Sequence, residues 1–205
     1  GDTMVEIIVI TGFHAGKNTS DNISNLTKYL RYWGKTNKVK VTEFLYRYNT
    51  ISVNHNDLLG DARRLKATAD DDLIVLAHSR GALVAYEAAR MGEKFSTIVL
   101  FGAALDNNLV WPQDCADKII NIYNPWDLLL MAGSLLPNPF TNPAGVSKME
   151  ITDSRIQNVN ANRLHYEKSV LNPHSDYFLD QNTKIWGRLV LKEVNRLIAK
   201  SKIGS

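Results

Sequence analysis

Apolar positions along this chain fall into two kinds of run that alternate. Val5 to Ile10, Leu73 to Ala77, Thr97 to Phe101 and Lys118 to Tyr123 are short and largely aliphatic. Such runs have the length and composition of strands buried on both faces of a parallel sheet. Val39 to Leu45 alternates apolar with polar residues and reads as another strand, and Arg155 to Val159 as a last one. Between the strands the spacing turns helical. Ser20 or Asp21 caps a helix with Ile23, Leu26, Tyr29, Leu30 and Trp33 on one face, and Gly34 ends it. Asn54 to Asp57 opens a second helix carrying Leu58, Leu59, Ala62 and Leu65. Gly81 to Arg90 is rich in Ala and Leu, with no breaker until Gly92. Thr183 to Ala199 sets Ile185, Trp186, Leu189, Val190, Val194, Leu197 and Ile198 along one stripe. Strands alternating with helices predict an α/β fold with a mostly parallel sheet and helices on both faces. Neither repeats nor a linker divides the chain, so residues 1–205 read as one domain.

One junction stands apart. Leu73 to Ala77 runs through His78-Ser79-Arg80 straight into the helix beginning at Gly81. A serine on a tight strand-to-helix turn is held in a strained backbone that pushes its hydroxyl above the sheet. Strand and helix nearly touch there, so the residues two before and two after must be small. Ala77 and Gly81 meet that need, giving the nucleophile-elbow pattern G-x-S-x-G with Ala in its first place. A serine hydroxyl also needs a base, and the base needs an acid to fix its tautomer.

The order of Ala77-His78-Ser79-Arg80-Gly81-Ala82, Thr11-Gly12-Phe13-His14, Asp127 and His174-Ser175-Asp176-Tyr177-Phe178 resembles the α/β-hydrolase superfamily, and within it the small lipase- and esterase-like members. The resemblance implies a reduced hydrolase core of about six strands, with Val5–Ile10 between Val39–Leu45 and Leu73–Ala77. It implies Ser79 as nucleophile, His174 as base and Asp127 as acid, in the family's chain order. Asp127 follows a strand in Asn124-Pro125-Trp126-Asp127; Asp106 and Asp153 are the alternative acids, and a turn or capping aspartate is the plain structural one. His174 lies in a loop before the last helix, in a segment similar to those at the catalytic histidine of related hydrolases. His165 is the other late histidine, and His78 is expected to pack under the elbow. The oxyanion would be held by the backbone N–H groups of Arg80 and Phe13. Thr11 stands where relatives often carry a histidine.

Leu128 to Phe140 is unusually apolar, with Pro137, Pro139 and Pro143 interrupting it. Relatives often place a cap here, so 128–150 is a possible small lid. His14, Leu129 and Leu136 would then line the substrate pocket; a short helix packed on the core is the alternative. An apolar wall suits acyl substrates.

Composition narrows the remaining classes. The 205 residues are 44% hydrophobic and 22% charged, with a net charge of +3. That is ordinary for a soluble domain, and the cations scatter apart from Lys192, Arg196, Lys200 and Lys202. These read as a solvated helix face, so no nucleic-acid partner is expected. No apolar run reaches membrane-span length, so no stable membrane insertion is expected. Cys115 is the only cysteine, which suits a cytoplasmic protein without disulfides. No signal peptide is visible, although Gly1-Asp2-Thr3 before Met4 leaves a removed one open. Three N-x-[Ser/Thr] triplets, at Asn18, Asn22 and Asn25, read as accidental.

Gly12 to Thr19 resembles a phosphate-binding loop but has three residues between its glycines and Asn18 after Lys17, so its amides are not arrayed for a phosphate. The five histidines have no metal-ligand spacing. The expectation is therefore a serine hydrolase of carboxylic esters, without metal or organic cofactor, acting on a small-molecule ester or acyl substrate. The same triad could serve an amide, a thioester or an acyl transfer, and a non-catalytic binding protein on this fold remains the contrasting reading.

Overall fold

The computed structural model describes residues 4–12, 23–35, 37–44, 55–65, 72–133, 143–170 and 172–203. Six strands, β1 (Val5–Ile10), β2 (Val39–Glu43), β3 (Asp72–His78), β4 (Phe95–Phe101), β5 (Ala116–Tyr123) and β6 (Ile156–Asn160), form one sheet. Their order is β2-β1-β3-β4-β5-β6, and every neighbouring pair is parallel. This is the α/β architecture expected, with β1 between β2 and β3.

Among the described residues five α-helices accompany them: α1 (Ile23–Gly34), α2 (His55–Ala62), α3 (Gly81–Arg90), α4 (Leu128–Gly133) and α5 (Asp180–Ile203). Side chains alternate faces along a strand, so the sheet carries two cores. Leu73, Val75 and Ala77 of β3, with Ile98 and Leu100 of β4, meet Ala62 of α2 and Ala82, Ala85 and Ala88 of α3. On the other face Ile74, Leu76, Val99 and Phe101 meet Leu26 and Leu30 of α1 and Trp186, Val190, Val194 and Leu197 of α5. Full burial of each large aliphatic or aromatic side chain is worth about 1.5–3 kcal/mol. Gly187 lets α1 and α5 close on each other, since a Cβ there would stand 2.3 Å from the Tyr29 ring.

Three elements depart from expectation. Trp33 is half-exposed instead of facing the core. The end of α1 lies so close to β2 that a Cβ on Gly34 would meet the Val39 carbonyl at 2.7 Å. That approach is made by the Gly34 side and leaves Trp33 off it. The last helix begins at Asp180, three residues early, because the Leu179 carbonyl accepts the Thr183 N–H at 2.8 Å. It ends at Ile203 with Lys200 and Lys202 in its last turn, favourable to the helix dipole. Within the basic group, Arg196 binds Glu193 at 2.8 Å and Lys200 binds Asp117 at 2.9 Å. α2 stops at Ala62, short of Leu65, which is nevertheless buried.

Register decides where chemistry can gather. Ile10 pairs with Ala77, His78 with Phe101, and Phe101 with Ile122. The carboxyl ends of the central strands therefore finish level. Loops leaving that edge carry Thr11 and Gly12, Ser79, Gly102, and the turn from Asn124 to Asp127. Ligand sites in open parallel sheets form at this edge.

No described helix is long and apolar enough to cross a membrane.

Candidate active site

β3 enters the elbow and α3 leaves it at once. Ser79 has φ of 54°, the left-handed backbone region that a residue with a Cβ seldom adopts. That conformation costs about 1–2 kcal/mol outside glycine. Its neighbours hold it: Ser79 N–H donates to the Phe101 carbonyl at 3.0 Å, and the Ser79 carbonyl accepts from Ala82 and Ala104 at 3.1 Å each. A Cβ on Gly81 would lie 2.7 Å from the Ile10 carbonyl oxygen and 2.8 Å from that of Thr11. The small residue after the serine is thus required by the passage of β1. Gly12 is as confined, its would-be Cβ being 2.8 Å from the Ser79 Cβ and 3.1 Å from His78 Nδ1.

His174 and Asp127 come from loops 47 positions apart and meet. His174 Nδ1 lies 2.5 Å from Asp127 Oδ2, with the aspartate wholly buried and the histidine nearly so. A carboxylate accepts, so the ring carries its proton on Nδ1. Asp127 Oδ1 accepts the Leu130 N–H at 3.1 Å, and Asp127 N–H donates to the Asn124 carbonyl at 3.0 Å. The turn and the start of α4 therefore aim the carboxylate.

Gly102 makes room for this pair. Its φ is +51°, and a Cβ there would stand 3.2 Å from the Tyr177 ring and 3.3 Å from both Asp127 Oδ2 and His174 Cε1. In the sequence Gly102 directly follows the apolar run Thr97 to Phe101. A glycine at the carboxyl end of a central strand was the available signal.

The segment bearing His174 is a 3₁₀ turn, Pro173–Phe178, fastened at several points. Asn182 of α5 donates to the Asp176 and Glu167 carbonyls at 2.7 Å each and accepts from the Tyr166 and Glu167 N–H groups. Both Asp176 carboxylate oxygens accept the Ser169 N–H at 3.1 Å. Burial raises the Asp176 pKa and the nearby Asp127 charge adds to this, against the lowering effect of the Ser169 amide. Burial, with Asp127 and Asp176, also holds the Tyr177 hydroxyl well above its ordinary pKa. Asn25 of α1 donates to the Phe178 carbonyl at 3.0 Å.

His78, expected beneath the elbow, is buried and touches the His174 segment directly. Its Nε2 lies 3.1 Å from the His174 carbonyl oxygen, and the two rings are 4.7 Å apart. His165 belongs to the core: its Nε2 accepts the Trp186 indole N–H at 3.2 Å. Burial, reinforced by Lys168, lowers its pKa to about 4.

Arg80 N–H stands at the start of α3, where helical N–H groups lack intrahelical acceptors. Its guanidinium is buried 3.9 Å from the carboxylate of Asp61, itself wholly buried on α2. Leu129 is exposed on α4 beside Leu128 and Met131, while Leu130 is buried. Phe13, His14 and Leu136 lie outside the described residues. Of the alternative acids, Asp153 is paired with Arg155 at 2.7 Å, and Asp106 forms a backbone bridge to Pro143. Cys115 is buried, and burial raises its thiol pKa. Beside the His174 loop is a cleft of about 340 Å³ lined by Asn124, Trp126, Asn162, Lys168, Ser169, Pro173 and Asp176. Among the described residues, no group of three or more His, Cys, Asp or Glu side chains is placed to hold a metal ion.

No family model matches the chain, and no curated protein is similar to it in sequence. Among solved structures it is similar to the esterase domain of a Rhodothermus marinus protein. The two are 15% identical over 92% of this chain and 86% of that one, with a TM-score of 0.48.

Proposed function

We propose that this chain is a serine hydrolase that cleaves carboxylic esters. The reading is carried by one observation: a buried His174–Asp127 pair at the same sheet edge as a serine in left-handed backbone. Ser79 Oγ attacks the substrate carbonyl. His174 Nε2 takes the serine proton and later delivers it to the leaving alcohol. Asp127 keeps the proton of the neutral ring on Nδ1 and stabilises the imidazolium. The N–H groups of Arg80 and Phe13 hold the oxyanion; losing one such donor costs on the order of 3 kcal/mol of transition-state stabilisation. Water then cleaves the acyl-enzyme. No cofactor takes part.

Leu129, at the start of the 128–150 segment, lines the acyl side of the pocket. Exposed Leu128, Leu129 and Met131 at the start of that segment support an apolar approach to the site. Cys115, the only cysteine and buried, is in keeping with a cytoplasmic location.

The test is hydrolysis of p-nitrophenyl esters of increasing acyl length by wild type and Ser79→Ala. The expected result is turnover that drops at least about a thousandfold in the variant. Equal turnover by both would overturn the reading. Turnover of amides or thioesters in preference to esters would move the same triad to those substrates.

A further inference from the structure

We propose that His78 is a positioning residue for His174, acting through the main-chain carbonyl of the base. The inference rests on the reading of His174 as the base. A carbonyl only accepts hydrogen bonds, so at 3.1 Å the His78 Nε2 must carry a proton and donate it. That bond joins residues 96 positions apart and is buried at both ends. It grips the backbone of the residue whose ring must face the serine.

His78 also sits where three loops converge. It belongs to the elbow, being the residue immediately before Ser79. Its Nε2 reaches the loop of the base. Its Nδ1 faces the loop after β1, so closely that a Cβ on Gly12 would lie 3.1 Å away. Its ring is backed edge-on by Phe178 at 4.9 Å and lies 4.7 Å from the His174 ring. One side chain thus ties the elbow to the segment bearing His174 and limits how the Gly12 loop approaches both. Arginine, lysine or a plain apolar residue here would lack either the fit or the donor aimed at that carbonyl. The sequence pattern leaves this position of the elbow open; contact with the base makes it specific.

Positioning of this kind affects the rate more than substrate binding. A misplacement of about 1 Å can cost about a hundredfold. His78→Phe keeps the ring and removes the donor. His78→Gln places an amide N–H close to where Nε2 stood. The expected result is a kcat about ten- to a hundredfold lower in His78→Phe with KM unchanged, and a largely restored kcat in His78→Gln. Wild-type rate in His78→Phe would overturn the proposal. So would a loss in His78→Gln as deep as that in His78→Phe, since the donor would then not be what matters.

A second readout needs neither variant nor turnover. Nitrogen NMR of the wild-type imidazoles should find His78 protonated at Nε2, with a coupling across the hydrogen bond to the His174 carbonyl carbon. A His78 ring protonated only at Nδ1 would overturn the proposal. If wild type hydrolyses no ester, the hydrolase reading falls. The coupling still decides separately whether His78 holds the His174 segment.

Discussion

Replacing Asp127 by Asn should disable the site while sparing the fold. In the native arrangement the carboxylate accepts on both sides, from His174 Nδ1–H at 2.5 Å and from Leu130 N–H at 3.1 Å. An amide has only one oxygen. If that oxygen stays on Leu130, the NH₂ group faces Nδ1 and forces the ring into the Nε2–H tautomer. Such a ring cannot accept the Ser79 proton. If the amide flips, NH₂ meets the Leu130 N–H inside a wholly buried site, leaving a donor unsatisfied at about 1–3 kcal/mol. The productive orientation is then outweighed by roughly 5–150-fold. Even that orientation lacks the negative charge that stabilises the imidazolium. Together these effects predict a kcat lower by about 10³–10⁴, or about 4–5.5 kcal/mol of barrier, with KM near the wild-type value. Steady-state ester hydrolysis gives both constants, and urea unfolding of each protein confirms that the variant is folded. A folded Asp127→Asn within about tenfold of wild type would mean that tautomer control does not reside at Asp127.

Other consequences can be checked alongside. Gly102→Ala adds a Cβ 3.2–3.3 Å from Tyr177, Asp127 and His174 at a φ of +51°. It should cost about 1–2 kcal/mol of stability, seen as a lower melting temperature, and about ten- to a hundredfold in kcat. His165 loses its ordinary pKa of 6.5 to a folded value of about 4, so the fold favours its neutral form. Its contribution is complete above pH 6.5 and declines as pH falls towards 4, by about 3 kcal/mol in all. Urea unfolding across that range should show the decline, and His165→Gln should flatten it. Arg155 donates to the carbonyls of Trp111, Pro112 and Gln113 while paired with Asp153, so Arg155→Met should cost about 2–3 kcal/mol and lower the melting temperature without abolishing turnover.

What could be read before any coordinates follows from how locally each feature is encoded. The strands are short aliphatic runs and the helices have periodic stripes, so the parallel sheet and its two layers were visible. The tight turn at Ser79 was legible because strand, small residues and helix are contiguous around it. Asp127 and His174 could be named only through the chain order of the hydrolases this sequence resembles; their meeting depends on level strand ends, which spacing does not encode. Gly102, Asn182 and the contact of His78 with the His174 carbonyl were not legible. Each acts on a partner far along the chain, and nothing in the neighbouring sequence marks the partner. Trp33 and the early start of α5 depart from the sequence pattern for a related reason. Packing of α1 against β2, and a carbonyl just outside the helix, decided them over periodicity.

An activated serine at the elbow should react with a fluorophosphonate probe. Wild type, Ser79→Ala and His174→Ala would be treated with the probe, and the modified peptide located by mass spectrometry. A single adduct on Ser79 is expected in wild type and none in either variant. A folded wild type that takes no label, or label that persists in Ser79→Ala, would contradict it.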